Sequence, residues 1–260
     1  MYKSLVPVSA ERHAGKFWQP FPNYGFAAGE AVLPLTVTEV MRASSDLAIG
    51  FMRQDEIVAP VAICGLMPGQ NLYVAPDGRW LGSYVPASLR SYPFALVAGP
   101  EGERVVCFDE ESGLLSMNSG EPFFDDDHKP VGRFAQVVDF FTQLERDRQA
   151  TRTYCDLIDR QGLFSDWQMK VDAGQGIQEV TGLLRVDEVA LNNLSDEAFL
   201  QCRHAGILPL IYAHLLSTNR LSELSRLSQV QAQLAGQQPQ TRLEDVFALP
   251  GADDLEFNFD

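Results

Sequence analysis

The hydrophobic pattern of the chain changes its period near residues 125–128, and this change constrains the fold more than any other feature. Between residues 48 and 117, short apolar runs alternate with turn signals, which is typical of antiparallel strands. After residue 131, apolar side chains recur at helical spacing in the run VGRFAQVVDFFTQLERDRQATRTYCDLIDRQGLF. The sequence therefore predicts an α+β fold, in which a curved antiparallel sheet in the N-terminal half packs with a long helix.

Local signals predict the individual elements. Thr36 followed by Glu39 is the pattern of a capping box, which predicts a short helix over residues 37–45. The long helix is predicted over residues 131–160, and C-terminal helices follow from Ser195, with Pro209 kinking or dividing them. Turn residues predict hairpins at four places: residues 53–56, Pro76–Gly78, Gly99–Gly102 and Ala173–Gly176, the last within a second hairpin over residues 166–186.

The chain is predicted to form one domain and a tail. The domain covers residues 1–236, with a β-rich part over 1–124 and a mixed helical and β part over 125–236. Residues 237–260 are acidic and predict a flexible tail. Docking of this tail onto a partner or onto its own domain stays open, because apolar side chains recur along it: Leu243, Val246, Phe247, Leu249, Leu255, Phe257 and Phe259.

Charge and apolar content limit the partners and the compartment. The formal net charge is −15, which repels a phosphate backbone and argues against nucleic acid as a partner. Neither a signal peptide nor an uninterrupted apolar run of membrane-spanning length is recognisable, so we expect a cytoplasmic protein without a membrane span. The cysteines occur singly and are expected to be buried, reduced thiols: Cys64, Cys107, Cys155 and Cys202.

Recognisable catalytic and metal-binding motifs are absent from the sequence, so no catalytic residue, metal or cofactor is assigned. His214 lies in an apolar run and is interpreted as a hydrogen-bonded core histidine. The run FFDDDHKPVGRF has carboxylates that resemble a calcium loop, but Pro130 stands where that loop needs a glycine. We interpret it as an acidic turn that caps the long helix.

The run NLYVAPDGRWLGSYVPASLRSYPF, residues 71–94, supplies the candidate binding residues. Arg90 is predicted to lie beside Tyr84, Tyr92 and Trp80 and to bond a carboxylate such as Asp109 or Asp77. One interpretation is an internal arginine–aromatic brace. The other is a pocket for an anionic small molecule or a peptide carboxylate, built from a defined set of side chains: Asn71, Trp80, Tyr84, Arg90 and Asp109.

Three stretches carry a resemblance to a known family. GLMPGQNLYVAPDGRWLGSYVPASLRSYPF, then CFDEESGLLSMNSGEPFFDDD, and finally AGILPLIYAHLLS resemble the SapC family of bacterial proteins, in consistent order from Pro7 to about Leu224. The sequence departs from the family pattern at EPFF, where PLF is more usual, and at His128, where a glycine is expected. The second departure puts the turn at residues 125–128 in doubt.

The resemblance implies an accessory role without established catalytic residues. Such proteins are associated with surface-layer gene clusters and look to be encoded near tryptophan-halogenase-like and cupin-like proteins and outer-membrane receptors. The first hypothesis is a non-enzymatic cytoplasmic accessory protein that acts on a protein or peptide partner, such as a halogenase-like or cupin-like neighbour. The second is an enzyme or ligand-binding subunit with an anion pocket around Arg90, and homo-oligomerisation stays open in both.

Overall fold

The computed structural model describes residues 1–99, 103–172 and 177–236. Its helices are α1 (Ala10–His13), α2 (Val37–Ala43), α3 (Ala87–Arg90), α4 (Gly132–Arg160), α5 (Glu188–Asn192), α6 (Asp196–His204), α7 (Leu208–Ser217) and α8 (Leu221–Gly236). Its strands are β1 (Leu5–Pro7), β2 (Phe17–Trp18), β3 (Val32–Pro34), β4 (Ala48–Gln54), β5 (Ile57–Ile63), β6 (Phe94–Ala98), β7 (Arg104–Asp109), β8 (Leu115–Ser116), β9 (Glu121–Pro122), β10 (Phe164–Asp166), β11 (Met169–Asp172), β12 (Ile177–Val180) and β13 (Leu183–Val186).

The strands form separate antiparallel sheets. The five-stranded sheet has the order β10-β13-β4-β5-β3, and a three-stranded sheet has the order β1-β7-β6. The other two sheets are β8-β2-β9, whose strands have two residues each, and the hairpin β11-β12. Below, "the three-stranded sheet" means β1-β7-β6. The α+β prediction is confirmed, but the strands of the N-terminal half do not lie in one curved sheet. Strands β10 and β13 from the C-terminal half complete the five-stranded sheet, since β13 pairs with β4 and buries Leu183 and Val186, and β10 pairs with β13 at the edge.

Helix α4 connects two hydrophobic cores. Near its N-terminus, Phe134 and Phe141 pack with the aromatic residues of the three-stranded sheet. Near its C-terminus, Cys155 and Ile158 pack into the larger core around the five-stranded sheet. The two sheets are thus held side by side along one helix of 29 residues, and a cleft lies between them over its middle.

His214 on α7 is inserted between β4 and β13, where the ladder of the two strands stops. The strands pair at Leu184 and Phe51, so Val186 and Ile49 would form the next hydrogen-bonded pair. Instead, His214 Nδ1 donates to the Ile49 carbonyl at 2.9 Å, and His214 Nε2 accepts from the Val186 N–H at 3.1 Å. Because the Val186 N–H can only donate, the imidazole is neutral and carries its proton on Nδ1. The prediction of a hydrogen-bonded core histidine is confirmed.

Ser217 satisfies the remaining backbone group of Ile49. The Ile49 N–H donates to Ser217 Oγ at 3.1 Å, and Ser217 Oγ donates to the His214 carbonyl at 2.6 Å. The stretch AHLLS therefore bonds one helix into the sheet ladder instead of packing it on the sheet surface.

Stability should depend on pH through His214. Burial lowers the pKa of His214 from 6.5 to about 4, so the unfolded chain binds a proton more readily than the folded chain between these values. The stabilisation is therefore complete above pH 6.5 and is lost as the pH falls toward 4, by about 3 kcal/mol in total.

Urea unfolding at pH 7.5, 5.5 and 4.5 measures this loss of stability. A His214→Gln variant, which does not titrate, should show a smaller loss of stability over this range. Equal losses in both chains would contradict the assignment.

Most predicted helices are confirmed, including the capping box of α2, in which the Glu39 side chain accepts the Thr36 N–H. Pro209 lies in the first turn of α7 and so divides the helices at residue 208. The turn predicted at Pro76–Gly78 forms, and the Leu81 N–H donates to the Tyr73 carbonyl across it at 2.7 Å, but the flanking residues form one antiparallel bridge, between Val74 and Trp80, and not the predicted strands. The tips predicted at Gly99–Gly102 and Ala173–Gly176 lie partly or wholly outside the described residues, as does the predicted tail.

The acidic turn does not cap the long helix. Asp125 Oδ1 accepts the N–H groups of Asp127 and Lys129 at 3.0 and 2.9 Å, whereas the N-cap residue of α4 is Val131. His128 has a φ of 62°, a left-handed conformation that favours glycine. This explains why glycine would suit the position. Within the described ranges, no helix is both long and apolar enough to cross a membrane.

Candidate functional site

Residues 71–94, here called the aromatic segment, are largely irregular and are fixed by bonds from other elements. The Asn71 side chain donates to the Ala27 carbonyl at 3.1 Å and accepts the Tyr73 N–H at 3.0 Å. From α8, Gln231 Nε2 donates to the carbonyls of Leu72 and Val74 at 3.0 and 2.8 Å. These side chains replace the backbone partners that a sheet would supply.

The turn of the segment is closed by its own aromatic side chains. Trp80 stacks on Tyr73, with 5.3 Å between the ring centroids, and Trp80 Nε1 donates to the Tyr84 carbonyl at 2.9 Å. Asp46 Oδ2 accepts the N–H groups of Ser83 and Tyr84 at 2.6 and 2.9 Å. The segment is therefore preorganised as far as Tyr84.

The buried carboxylate of Glu39 holds the second half of the segment. Glu39 Oε1 accepts the Tyr84 hydroxyl at 2.9 Å and the Ala87 N–H at 2.7 Å. Its Oε2 accepts the N–H and hydroxyl groups of Thr36, both at 3.0 Å. Burial and then the Glu39 charge raise the pKa of Tyr84, so that the hydroxyl remains a donor. Glu39 therefore has a partner for each carboxylate oxygen without Arg90.

Arg90 ends α3 and presents its guanidinium to solvent. Its side chain is 50% exposed, and Nη2 lies 3.9 Å from Glu39 Oε1, which is too long for a hydrogen bond. The guanidinium carbon lies 5.6 Å from the centre of the Phe140 ring on α4, within reach of a cation–π interaction. Arg90 thus rests on an aromatic ring, and its guanidinium donates no hydrogen bond to any residue that the structure describes.

Two shallow clefts meet at Arg90 and Phe140. One, of about 260 Å³, also contains Arg42 and Tyr84, and the other, of about 220 Å³, also contains Arg133. Arg133 lies 3.9 Å from Glu121, and Arg42 has no ion pair in the part of the chain that the structure describes. Three guanidinium groups therefore line these clefts in a protein whose net charge is −15, and the first cleft also contains the carboxylates of Glu39 and Asp147, which accept hydrogen bonds within the fold.

The structure does not bring the sequence-predicted site residues together. Tyr84 and Arg90 share a cleft, but Asn71 and Trp80 point into the fold and use their polar atoms there. Asp109 is fully buried and accepts the N–H groups of Lys3 and Ser4, at 3.0 and 2.8 Å, so the predicted bond from Arg90 to Asp109 is wrong.

The alternative carboxylate, Asp77, bonds Arg79 instead. Asp77 and Arg79 lie two positions apart within one turn, which explains this preference. Arg90 instead contacts the ring of Phe140, a residue that the sequence does not identify as part of the site.

The cysteine thiols and the potential metal ligands were the other candidates for chemistry. The four cysteines are free and buried, and burial raises the pKa of each thiol, which keeps them protonated at neutral pH. Their predicted burial is confirmed. No cluster of three or more histidine, cysteine, aspartate or glutamate side chains suited to a metal ion occurs among the described residues.

Comparison with protein-family models decides the family. The SapC model matches residues 8–224, most of the chain. The chain belongs to the SapC family. No curated protein and no solved structure matches the chain significantly. The span of the SapC match includes the aromatic segment, Arg90 and the AHLLS stretch, and it ends at Leu224 within α8.

Proposed function

We propose that this SapC-family chain is a non-enzymatic accessory protein of the cytoplasm, which binds a protein or peptide partner through the face around Arg90. The observation that carries the proposal is the geometry of Arg90 itself. A guanidinium on a preorganised segment lies over Phe140, between Arg42 and Arg133, and donates no hydrogen bond within the described parts of the chain. Planar, cationic donors beside an aromatic ring suit a carboxylate on a partner surface.

A binding role is supported further by the buried groups Glu39, Asp109 and His214, which bond the fold itself. Glu39, Asp109 and His214 all have hydrogen-bond partners within the fold. General acid–base catalysis needs a group that can reach a substrate proton. The face around Arg90 instead offers donors in open clefts, and a halogenase-like or cupin-like neighbour is the first partner to test.

Binding of a small anion is the second candidate function. The cleft that holds Arg42, Tyr84 and Arg90 has a volume of about 260 Å³, enough for a small dicarboxylate but small for a cofactor. Such a ligand would bind the same donors as a partner carboxylate, so the two candidates differ in the size of the ligand and share Arg90.

Replacing Arg90 by methionine should weaken partner binding and leave the fold stable. The Glu39 carboxylate keeps its hydrogen bonds without Arg90, and an ion pair of this exposure contributes less than about 1 kcal/mol. Affinity for the partner should fall at least about tenfold, the usual loss for one charge-assisted contact. Purified wild-type and Arg90→Met chains are immobilised and titrated with the halogenase-like and cupin-like proteins, and urea unfolding is measured in parallel.

Arg226→Met is the matched control, because Arg226 has similar exposure and lies on α8 away from this face. It should bind like the wild type. A loss of several kcal/mol of stability in Arg90→Met would support the internal brace and contradict the proposal. Calorimetric binding of succinate to the wild type, with no binding of either protein, would favour the small-anion function instead.

A further inference from the structure

A cleft of about 470 Å³ lies between the two main sheets, here called the inter-sheet cleft. Edge strand β3 of the five-stranded sheet and edge strand β6 of the three-stranded sheet both line it, and the middle of α4 forms its floor. Its walls are mainly apolar and include Leu33, Leu35, Leu96, Val97, Phe141 and Leu144. Its size and lining suit an apolar occupant.

On the edge of β6 that does not pair with β7, every second residue turns its backbone N–H and C=O groups outward. The Asp109 N–H donates to the Pro93 carbonyl at 3.0 Å, so odd-numbered residues of this strand bond β7. Leu96 and Ala98 therefore turn their N–H and C=O groups away from β7. Both outward groups of Phe94 already have partners, since its N–H donates to the Ser91 carbonyl at 2.8 Å and its C=O accepts the Tyr2 hydroxyl at 2.8 Å.

The free edge of β3 follows the same rule. The Leu35 N–H donates to the Pro60 carbonyl at 2.9 Å, which places Val32 and the Pro34 carbonyl on the outward side. Two unpaired strand edges thus line one apolar cleft. Backbone groups in such a position need a hydrogen-bond partner, and an added strand is the partner that satisfies several at once.

Cationic side chains lie at one end of the cleft floor. Along α4, the lining changes from Phe141 and Leu144 to Arg148 and Arg152. Arg148 lies 3.9 Å from Glu145, whereas Arg152 forms no ion pair within the described stretches of the chain. Two carboxylates, Glu30 and Glu39, also line the cleft, but Glu30 is paired with the Met1 amino group and Glu39 accepts hydrogen bonds within the fold. An occupant should therefore combine an extended backbone, apolar side chains and negative charge at the end near Arg152.

One segment of this chain has that combination. In the sequence DLEFNFD, apolar Leu255, Phe257 and Phe259 alternate with polar residues, of which Asp254, Glu256 and Asp260 are acidic. A period of two places the apolar side chains on one face of a strand. The residues between Gly236, the end of α8, and Asp254 can span about 56 Å when extended, more than the roughly 45 Å diameter expected for a domain of this length.

We propose that the segment Asp254–Asp260 adds as a strand to the free edge of β6 and so occupies the inter-sheet cleft. Leu255, Phe257 and Phe259 then pack on the apolar lining, and the acidic residue at the end of the strand nearest Arg148 and Arg152 lies within reach of their guanidinium groups. This is β-strand addition within one chain. The inter-sheet cleft adjoins the cleft of Arg90, with which it shares Glu39 and Ala87, but strand addition to β6 does not involve Arg90.

Amide hydrogen exchange of the full chain, resolved by residue with NMR, tests the proposal. The Leu96 and Ala98 N–H groups have no hydrogen-bond partner among the described residues, so their protection reports the presence of an added strand. In the wild type, these amides should exchange at least about a hundredfold more slowly than in a Phe257→Ser/Phe259→Ser variant. A synthetic peptide of residues 251–260, added to that variant, should restore their protection.

Val246→Ser/Phe247→Ser is the matched control, since it removes apolar residues of the tail outside the alternating segment and should leave Leu96 protected. Arg152→Gln should reduce the protection, and Arg90→Met should not change it. Rapid exchange of Leu96 in the wild type, or equal protection in all variants, would overturn the proposal. Protection that disappears on dilution would also overturn it, because a second copy would then supply the strand.

Discussion

Replacing His214 by alanine is expected to lower the free energy of unfolding by about 3–5 kcal/mol. The substitution leaves the Ile49 carbonyl and the Val186 N–H without their partner in a buried position. It also opens a cavity beside Phe51 and Trp167, whose rings contact the imidazole at centroid distances of 5.1 and 5.8 Å. The expected loss therefore combines two unpaired backbone groups with lost packing.

Urea unfolding at pH 7.5 measures this effect, with His204→Ala as the control. His204 lies at the exposed end of α6, so its replacement should change the stability by less than about 0.5 kcal/mol. The Val186 amide should also exchange faster in His214→Ala, since its acceptor is removed. A variant of near wild-type stability would show that the strands close the ladder without the imidazole.

Glu39→Gln should destabilise the chain by about 2–4 kcal/mol, although the two side chains have nearly the same shape. Both carboxylate oxygens accept hydrogen bonds, from Tyr84 and Ala87 on one side and from Thr36 on the other. A glutamine has one oxygen, so its amide N–H₂ must face donors on one of the two sides. Either orientation leaves buried donors without an acceptor.

A double-mutant cycle with Tyr84→Phe separates the contribution of the hydroxyl. Removing that donor should make Glu39→Gln less costly, which appears as a coupling of about 1 kcal/mol or more in urea unfolding. Glu197→Gln, at an exposed position in the first turn of α6, is the control and should be nearly neutral. Additive effects of the two substitutions would show that Tyr84 does not bond Glu39.

The periodic elements could be predicted from the sequence, because their signals are local. The apolar spacing of α4, the capping box of α2 and the position of Pro209 each determine a boundary within a few residues. Sheet membership is not local. Nothing in the spacing of β13 indicates that it pairs with β4, from which it is separated by more than 120 residues.

In the candidate site, too, contacts between residues close in the sequence could be predicted, whereas contacts between distant residues could not. Tyr84 and Arg90 were predicted as neighbours because they are only six positions apart in the sequence, and they do share a cleft. Asp109 was assigned to Arg90 on its charge alone, and charge does not indicate which buried donors a carboxylate will meet. Glu39 was recognised only as a helix cap, since its second oxygen bonds a segment 45 residues away in the sequence.

The insertion of His214 also determines when the five-stranded sheet can be completed. The hydrogen bond from His214 to Ile49 joins positions 165 residues apart, and none of the described residues between them bonds the free ladder groups of Ile49 and Val186. During synthesis, β4 and β13 can meet at Leu184 and Phe51 before α7 exists, but their ladder stays open at Ile49 and Val186 until the ribosome has released Ser217. Such long-range closure slows folding. A nascent chain that ends before residue 208 should therefore leave backbone groups of Ile49 and Val186 unpaired between β4 and β13. Such an incomplete sheet is expected to be a substrate for chaperones.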